Sequence, residues 1–289
     1  MSAPLSSVAG HAALRAGAVA HRYGGVVGAV GGSLVAVGVR CDDEDHRIGE
    51  STLVRLSPGK VEAIARLPFS VFAAGGDVER PLLLDHEGRL RDKGGSVVID
   101  DVRAIIGHAV LRNPGALHDA RDGRHIASGV FAVGQDDDGY VAAVDSGLVF
   151  FTASFKERGR LALAPLGAVV AVCGGGPFIG LLVERTLVIV DRPTGHVTRA
   201  ALPSEGRCIA RAPRRFLIGG RAGLCARDDD DDRVRPFRPS LRAHQVTWTG
   251  PGDARSRLVV VADLFIATSE DGEDLATRDL SGYVRIAGA

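Results

Sequence analysis

Phe216-Leu-Ile-Gly-Gly-Arg-Ala-Gly-Leu-Cys-Ala-Arg-Asp-Asp-Asp-Asp-Asp-Arg-Val-Arg235 aligns with Leu258-Val-Val-Val-Ala-Asp-Leu-Phe-Ile-Ala-Thr-Ser-Glu-Asp-Gly-Glu-Asp-Leu-Ala-Thr277 when one gap is allowed. Each copy contains an apolar run, a break at Gly or Asp, a second apolar run, an acidic turn and an alternating run. The offset of about 42 residues is typical of proteins that stack one small unit repeatedly. Three short strands per copy form a sheet that cannot bury its own faces, so the stretch predicts a fold built by stacking such sheets.

The same pattern recurs through most of the chain. Its six copies begin at Val26, Ser70, Gly129, Ala168, Phe216 and Leu258. The inner runs are apolar at successive positions, as strands buried between two neighbouring sheets require, whereas the outer runs alternate between apolar and polar residues. We therefore predict an all-β protein, a single β-propeller with residues 1–289 in one domain.

The two ends of the chain bear on the number of blades. Tyr283 to Ala287 is one more apolar run, and pairing it with strands from Ala12 to Tyr23 would complete a sheet and remove its free edge. We therefore predict seven four-stranded blades closed by the terminal strands, with six blades as the alternative. Residues 97–125 interrupt the repeat, and we expect an irregular insertion or a helical excursion there.

One turn of the repeat carries a recognisable motif. Ile266-Ala-Thr-Ser-Glu-Asp-Gly resembles the Asp box of BNR propeller blades at Ser269 and Asp271, with Gly272 next to the aspartate. The second Gly, the Thr and the Trp of that box are missing, and the chain has no Trp-Asp dipeptide of the WD40 type. The architecture as a whole resembles WD40/YVTN/BNR-like propellers. The box is structural in that family, so the resemblance implies no sialidase activity.

Composition excludes several classes of function. The 35 basic and 35 acidic side chains cancel, so the basic excess typical of a nucleic-acid-binding protein is missing. The four cysteines lie far apart without a Cys-x-x-Cys pair, which argues against a zinc site. No apolar run is long enough for a membrane helix. The Arg-rich, Ala/Gly/Val-rich composition is typical of a bacterial protein, and we expect a cytoplasmic location without a cofactor.

The densest polar cluster is His118-Asp-Ala-Arg-Asp-Gly-Arg-His125, where His118, Asp119, Asp122 and His125 are candidates for binding a partner. Histidine and aspartate together can ligate a metal or relay a proton. The flanking arginines disfavour a cation, so we expect no metal. A surface loop is the simpler interpretation, although loops on a rigid scaffold often carry function.

Three further residues are weaker candidates for contacts with a partner. Arg214 and Arg215 belong to a mildly basic cluster that either binds an acidic partner or forms solvated loop ends. Trp248, the only tryptophan, either anchors a partner or packs between blades.

The sequence contains no catalytic constellation, which favours a non-enzymatic scaffold for protein–protein interaction. A propeller without attached domains fits a subunit of a larger bacterial assembly, whose partners are proteins rather than nucleic acids or membranes. The alternatives are a propeller enzyme such as a lactonase, lyase or glycosidase, and a sensor that binds a small ligand in the central channel. The expected channel positions Ser33, Ser70, Gly129 and Ala168 offer little acid–base chemistry.

Overall fold

The computed structural model describes residues 25–30, 34–38, 51–57, 60–220, 222–241, 243–249, 257–262, 265–269 and 276–279. These residues form twenty-eight β-strands and no helix. Each group of four consecutive strands is an antiparallel sheet, and there are seven such sheets in the described residues, here called blades 1 to 7.

The first four blades are made as follows. Blade 1 contains β1 (Gly25–Val30), β2 (Leu34–Gly38), β3 (Ser51–Ser57) and β4 (Lys60–Leu67). Blade 2 contains β5 (Val71–Gly76), β6 (Pro81–Asp85), β7 (Leu90–Arg91) and β8 (Val97–Ile99). Blade 3 contains β9 (Val102–Ile106), β10 (Ala109–Arg112), β11 (Ala116–Asp119) and β12 (His125–Ala127). Blade 4 contains β13 (Val130–Asp136), β14 (Gly139–Val144), β15 (Gly147–Thr152) and β16 (Glu157–Ala162).

The last three blades continue in the same order. Blade 5 contains β17 (Val169–Gly175), β18 (Phe178–Val183), β19 (Thr186–Asp191) and β20 (Val197–Ala201). Blade 6 contains β21 (Gly206–Ala212), β22 (Arg215–Gly220), β23 (Gly223–Asp228) and β24 (Arg235–Arg238). Blade 7 contains β25 (Ala243–Thr249), β26 (Arg257–Ala262), β27 (Phe265–Ser269) and β28 (Ala276–Asp279).

The blades form a ring in which each first strand is innermost. First strands of consecutive blades contact one another, and β1 of blade 1 also contacts β26 and β27 of blade 7. The predicted all-β propeller of four-stranded blades is confirmed, and the described strands make seven blades rather than six. All seven blades come from continuous stretches of chain. The composite blade predicted from residues 12–23 and 283–287 lies outside the described residues.

The predicted insertion at residues 97–125 is wrong. Val97–Ile99 is the outer strand of blade 2, and residues 102–127 are blade 3, with all four of its strands paired. The strands of blade 3 are only three to five residues long, too short to show a clear periodicity in the sequence. The repeat unit also has four strands rather than the three of the aligned copies. In blade 5, for example, Phe178–Val183 pairs between the runs that the sequence pattern had joined directly.

The hydrophobic core lies between neighbouring blades. Successive residues of β14 show how it is built: Val141 packs into a cluster shared with blade 5, whereas Ala142 packs into one shared with blade 3. Side chains alternate between the two faces of a strand, so a blade buried on both sides needs apolar residues at successive positions. This explains why the inner runs of the sequence are apolar without alternation.

In every blade, a residue with a side-chain oxygen ends the third strand or directly follows it. In chain order these residues are Ser57, Asp92, Asp119, Thr152, Asp191, Asp228 and Ser269. Asp92 accepts hydrogen bonds from the backbone N–H groups of Gly94 and Ser96, and Thr152 accepts one from Lys156. Short polar side chains stabilise such turns by replacing backbone hydrogen bonds. The repeat is thus encoded in its turns as well as in its strands.

The innermost strands approach one another so closely that a side chain cannot fit at certain positions. A Cβ atom on Gly134 of β13 would lie 1.6 Å from the carbonyl oxygen of Val172 in β17. Between blades 2 and 3, the backbone N–H of Gly76 donates a hydrogen bond to the carbonyl oxygen of Gly107, with 2.6 Å between the nitrogen and the oxygen. Backbone contact between inner strands therefore sets the spacing of these blades.

The substitution Gly134→Ala tests this constraint, with Gly159→Ala as the matched control. We expect Gly134→Ala to lower the free energy of unfolding by about 3 kcal/mol or more, because the new methyl group overlaps backbone atoms that cannot move independently. Gly159 lies in the outer strand β16 with no atom within 4 Å of its Cβ position, so Gly159→Ala should be neutral or stabilise by about 0.5 kcal/mol. Urea denaturation measures both values, and equal effects of the two substitutions would contradict this packing.

Candidate functional site

Within the residues that the structure describes, most charged side chains near the turns lie at one edge of the ring. The strands are antiparallel, so the turns after the first and third strands of every blade fall on the same edge. We call this edge the polar rim. In the fully described blades it comprises residues 77–80, 92–96, 107–108, 120–124, 137–138, 153–156, 176–177, 192–196, 213–214 and 229–234.

All of the residues predicted to bind a partner fall on or beside this rim. His118, Asp119, Asp122 and His125 occupy the β11–β12 turn of blade 3 and its flanks. Arg214 and Arg215 lie at the β21–β22 turn of blade 6, and Trp248 is near the end of β25 in blade 7. The side chain of Trp248 is not among those described. Blades 4 and 5 separate blade 3 from blade 6, so the structure does not unite these residues into one site.

Asp119 holds the blade 3 turn together. Its buried carboxylate accepts hydrogen bonds from Nε and Nη2 of Arg121 at 2.9 and 2.7 Å, and another from the Arg121 N–H. Burial raises the pKa of this carboxyl group, but the hydrogen bonds and the charge of Arg121 outweigh burial and leave the pKa lowered. Arg121 also donates to the carbonyl oxygen of Ala153 in blade 4, so this pair connects two blades.

A second buried carboxylate connects blade 4 to blade 5. Asp136, at the end of β13, accepts a hydrogen bond from Arg158 of its own blade at 3.0 Å and one from Nη2 of Arg192 in blade 5. The neighbouring Asp137 accepts the backbone N–H of Gly176 at 2.7 Å. A buried carboxylate needs such partners to stay ionised at low cost. The role of Asp136 is therefore to hold two blades together.

In blade 6, a largely buried arginine contacts both an aspartate of its own blade and an aromatic ring of blade 5. Arg211, largely buried at the end of β21, makes two hydrogen bonds of 2.6 Å to Asp229. Its guanidinium group also lies 4.6 Å from the ring centre of Phe216 and 5.6 Å from that of Phe178 in blade 5. Arg215 forms an ion pair with Asp228 at 2.8 Å and lies over the Phe237 ring. These arginines are already engaged within the protein.

Tyr140 and Phe155 form the aromatic part of the junction between blades 3 and 4. Their rings stack with 4.6 Å between centres, and the Tyr140 hydroxyl accepts the backbone N–H of His108 at 3.1 Å. Burial raises the pKa of Tyr140, and burial together with the charge of Arg121 lowers the pKa of His108. Phe155 adopts φ 60°, which costs free energy for a residue other than glycine. At the matching turn position, Gly95, Gly123 and Gly195 also have positive φ.

The described residues hold few reactive groups. Burial raises the pKa of Cys173, so its thiol is not a nucleophile at neutral pH. No group of three or more His, Cys, Asp or Glu side chains in the described part of the chain has the arrangement of a metal site. The acid and base side chains of the polar rim are mainly paired with one another across the turns and blade junctions. On this geometry, the main role of the polar rim is to connect neighbouring blades.

Exposed apolar side chains are found on blades 1 and 2. Among the side chains that the structure describes, four large apolar ones are exposed: Ile64 (39%), Val78 (37%), Val97 (44%) and Val98 (45%). Ile64 lies in β4, the outer strand of blade 1, and the other three belong to blade 2. Sequence analysis missed Val97 and Val98, because a short apolar outer strand looks like any other core strand. Val78 lies in the β5–β6 turn of the polar rim, and we call the three residues on the outer strands, Ile64, Val97 and Val98, the apolar edge.

Comparison with known proteins supports the fold. PorZ, described as an essential surface component of the type-IX secretion system of Porphyromonas gingivalis, matches with a TM-score of 0.54 at 13% identity, over 89% of this chain and 38% of that one. The WD40 β-propeller domain of Doa1 matches with a TM-score of 0.53 at 11% identity, over 83% of this chain and 90% of that one. A chain from the mitotic checkpoint complex matches with a TM-score of 0.54 at 14% identity, over 89% of each chain.

Comparison of the sequence alone finds no relatives. No protein-family model matches the chain, and no curated protein matches it significantly. The described residues also include no helix with the length and hydrophobicity needed to cross a bilayer. The predicted resemblance to WD40-like β-propellers is confirmed at the level of architecture, and the chain adopts that fold.

The substitution Asp119→Asn tests the structural role of the blade 3 turn. Because the folded-state pKa of Asp119 is lowered, its contribution to stability is present above the unfolded-state pKa and is lost as pH falls through the folded-state pKa. We expect Asp119→Asn to cost about 2 kcal/mol at pH 7 and to have a shrinking effect as the pH falls below about 4. Urea midpoints measured from pH 7 to pH 2 give this profile. The exposed Asp122→Asn is the control, and a cost of Asp119→Asn that does not change with pH would contradict the assignment.

Proposed function

We propose that this protein is a non-enzymatic scaffold for protein–protein interaction, a propeller subunit of a larger bacterial assembly. The observation that carries the proposal is the apolar edge on blades 1 and 2. Exposed apolar side chains concentrated in one region of an otherwise charged surface are typical of interaction sites.

The outer strand of blade 2 suits this role. Val97 pairs with Arg91 and Ile99 pairs with Leu90, while Val98 sits at the register shift between them. An outer strand has one unpaired edge, which proteins usually protect with charged residues. Blade 4 follows that rule, since its outer strand β16 carries Glu157, Arg158 and Arg160. Strand β8 does not, and its exposed valines provide the apolar contact that a partner would bury.

The polar rim argues in the same direction. A catalytic or ligand-binding site needs polar groups that remain available to a substrate. The buried carboxylate of Asp119 instead accepts hydrogen bonds from Arg121 of its own blade, and that of Asp136 accepts them from Arg158 and from Arg192 of blade 5. A rigid ring fastened at its rim provides a stable frame for a docking surface at its perimeter.

Proteins with similar folds lend support to an assembly role. PorZ is described as a component of a secretion system, and another matching chain belongs to the mitotic checkpoint complex. This chain spans 38% of the length of PorZ, so the properties of that whole protein do not transfer directly. We propose only that the present propeller likewise works within a multi-protein complex.

The cellular setting is part of the same proposal. Cys173, Cys208 and Cys225 are free thiols, as is common in a reducing compartment, which supports a cytoplasmic location. The zero formal net charge supports proteins rather than nucleic acids or anionic membranes as partners. Partner binding then depends on apolar contact more than on charge.

A tagged pull-down from the native host tests the scaffold and its surface together. We expect a stoichiometric companion protein with the wild-type chain and at least a tenfold loss of it with the double variant Val97→Glu/Val98→Glu, because two buried charges at an apolar interface each cost more than about 1 kcal/mol. Quantitative mass spectrometry of the eluate gives the ratio.

Ala201→Glu is the matched control, since it places the same charge on the exposed outer strand of blade 5. The control should keep the companion. A chain that elutes alone would contradict the scaffold, whereas a companion retained by the double variant would leave a scaffold but contradict this surface.

A further inference from the structure

Two histidines face each other in the β11–β12 hairpin, and the proposed function uses neither. His118 and His125 are directly paired across the two strands, so their side chains project from the same face of blade 3. Their ring centres are 5.3 Å apart, with the rings inclined at 79°. Both side chains are at least partly exposed, and they lie next to the polar rim.

Each imidazole ring is held through one nitrogen. His118 Nδ1 lies 3.1 Å from the carbonyl oxygen of Gly123. A carbonyl oxygen can only accept, so Nδ1 must carry the proton and Nε2 keeps a free lone pair. His125 Nε2 lies 2.9 Å from the Ser128 hydroxyl, and when Nε2 donates its proton to that oxygen, Nδ1 of the ring keeps a free lone pair. Within the described residues, no group hydrogen-bonds to either remaining nitrogen.

This is the arrangement in which histidine binds metal ions. A metal-bound imidazole usually donates its second N–H to a carbonyl, hydroxyl or carboxylate oxygen, which fixes the ring and selects the tautomer. Here the Gly123 carbonyl oxygen and the Ser128 hydroxyl already contact one nitrogen of each ring without a metal. The rings therefore lose little side-chain entropy on binding.

The separation of the rings suits a shared ion. With metal–nitrogen distances of about 2.0–2.1 Å, two imidazoles on one tetrahedral ion have their ring centres about 5 Å apart. The observed separation of 5.3 Å agrees with that value.

The charge of the turn does not oppose a cation. The positive charges that flank the histidines in sequence, Arg121 and Arg124, are offset by Asp119 and Asp122. Arg121 is bound to the Asp119 carboxylate at 2.7 Å, and Arg124 lies 3.7 Å from the Asp122 carboxylate. Both arginines also donate to carbonyl oxygens of blade 4, which draws them toward the neighbouring blade. The flanking arginines are therefore not a reason to expect that a cation is excluded, contrary to the interpretation of the sequence.

We propose that His118 and His125 form a binding site for a divalent late first-row transition metal. The ion is held by His118 Nε2 and His125 Nδ1, and water occupies its other coordination positions, since no third protein ligand adjoins the pair in the described residues. Imidazole ligands suit Cu²⁺, Ni²⁺ and Zn²⁺, and affinity should follow the order in which Cu²⁺ binds more tightly than Ni²⁺ or Zn²⁺.

Calorimetric titration of the full-length protein with NiCl₂ at pH 7.5 tests the site. We expect one ion per chain to bind through this pair with a dissociation constant in the micromolar range, on the order of 10 μM. His118→Ala and His125→Ala should each weaken that binding at least tenfold, because each removes one of two ligands. His196→Ala is the control, since His196 lies in another turn of the polar rim and should leave the binding unchanged.

Ser128→Ala tests the positioning of the second ring. The hydroxyl does not touch the metal, so its loss should weaken binding several-fold while the urea midpoint stays within error of wild type. Binding that survives in the double variant His118→Ala/His125→Ala, or a wild-type dissociation constant above about 1 mM, would overturn the site.

Discussion

Backbone contact between the innermost strands is the constraint on which the rest of the ring depends. At Gly134 the neighbouring strand leaves no room even for a methyl group, because the Val172 carbonyl oxygen fills the space. Such close approach is possible only where the inner strand carries glycine, and a Cβ atom on Gly75 of blade 2 would likewise lie 2.7 Å from the carbonyl oxygen of Gly107 in blade 3. Once the inner strands are set, each blade presents two apolar faces to its neighbours, and the core forms in the spaces between blades.

The polar rim adds a second set of contacts between the blades. Inner-strand contact and core packing fix the blades along their faces. At one edge, Asp136 pairs with Arg192 of the next blade, and the arginine bound to Asp119 donates to a carbonyl oxygen of blade 4. Arg211, paired with an aspartate of its own blade, lies over the Phe178 ring of blade 5. Removing one member of such a pair leaves a charge without its partner, so these residues act as structural elements rather than as a reactive site. The apolar edge of blades 1 and 2 is left as a surface with apolar side chains to bury, and the histidine pair of blade 3 as a site with ring nitrogens available to a ligand.

The sequence predicts the fold well and the site poorly. Strand pattern and repeat are local properties, so the aligned stretches at Phe216 and Leu258 correctly predict an all-β propeller. Blade 3 gives no recognisable pattern in the sequence, because its strands are too short to show a period. Pairs such as Asp136 with Arg192, which are 56 residues apart, have no local signature at all. The pairing of His118 with His125 is local, but only the structure shows that the neighbouring arginines are neutralised and that one nitrogen of each ring is free.

Hydrogen–deuterium exchange of the protein, alone and bound to the companion recovered from its host, tests the central claim most directly. A scaffold that docks its partner along the apolar edge predicts slower exchange in residues 60–67 and 97–99 of the outer strands, with residues 206–238 of blade 6 unchanged. Slower exchange confined to blade 6 or to the innermost strands around the channel would contradict the account.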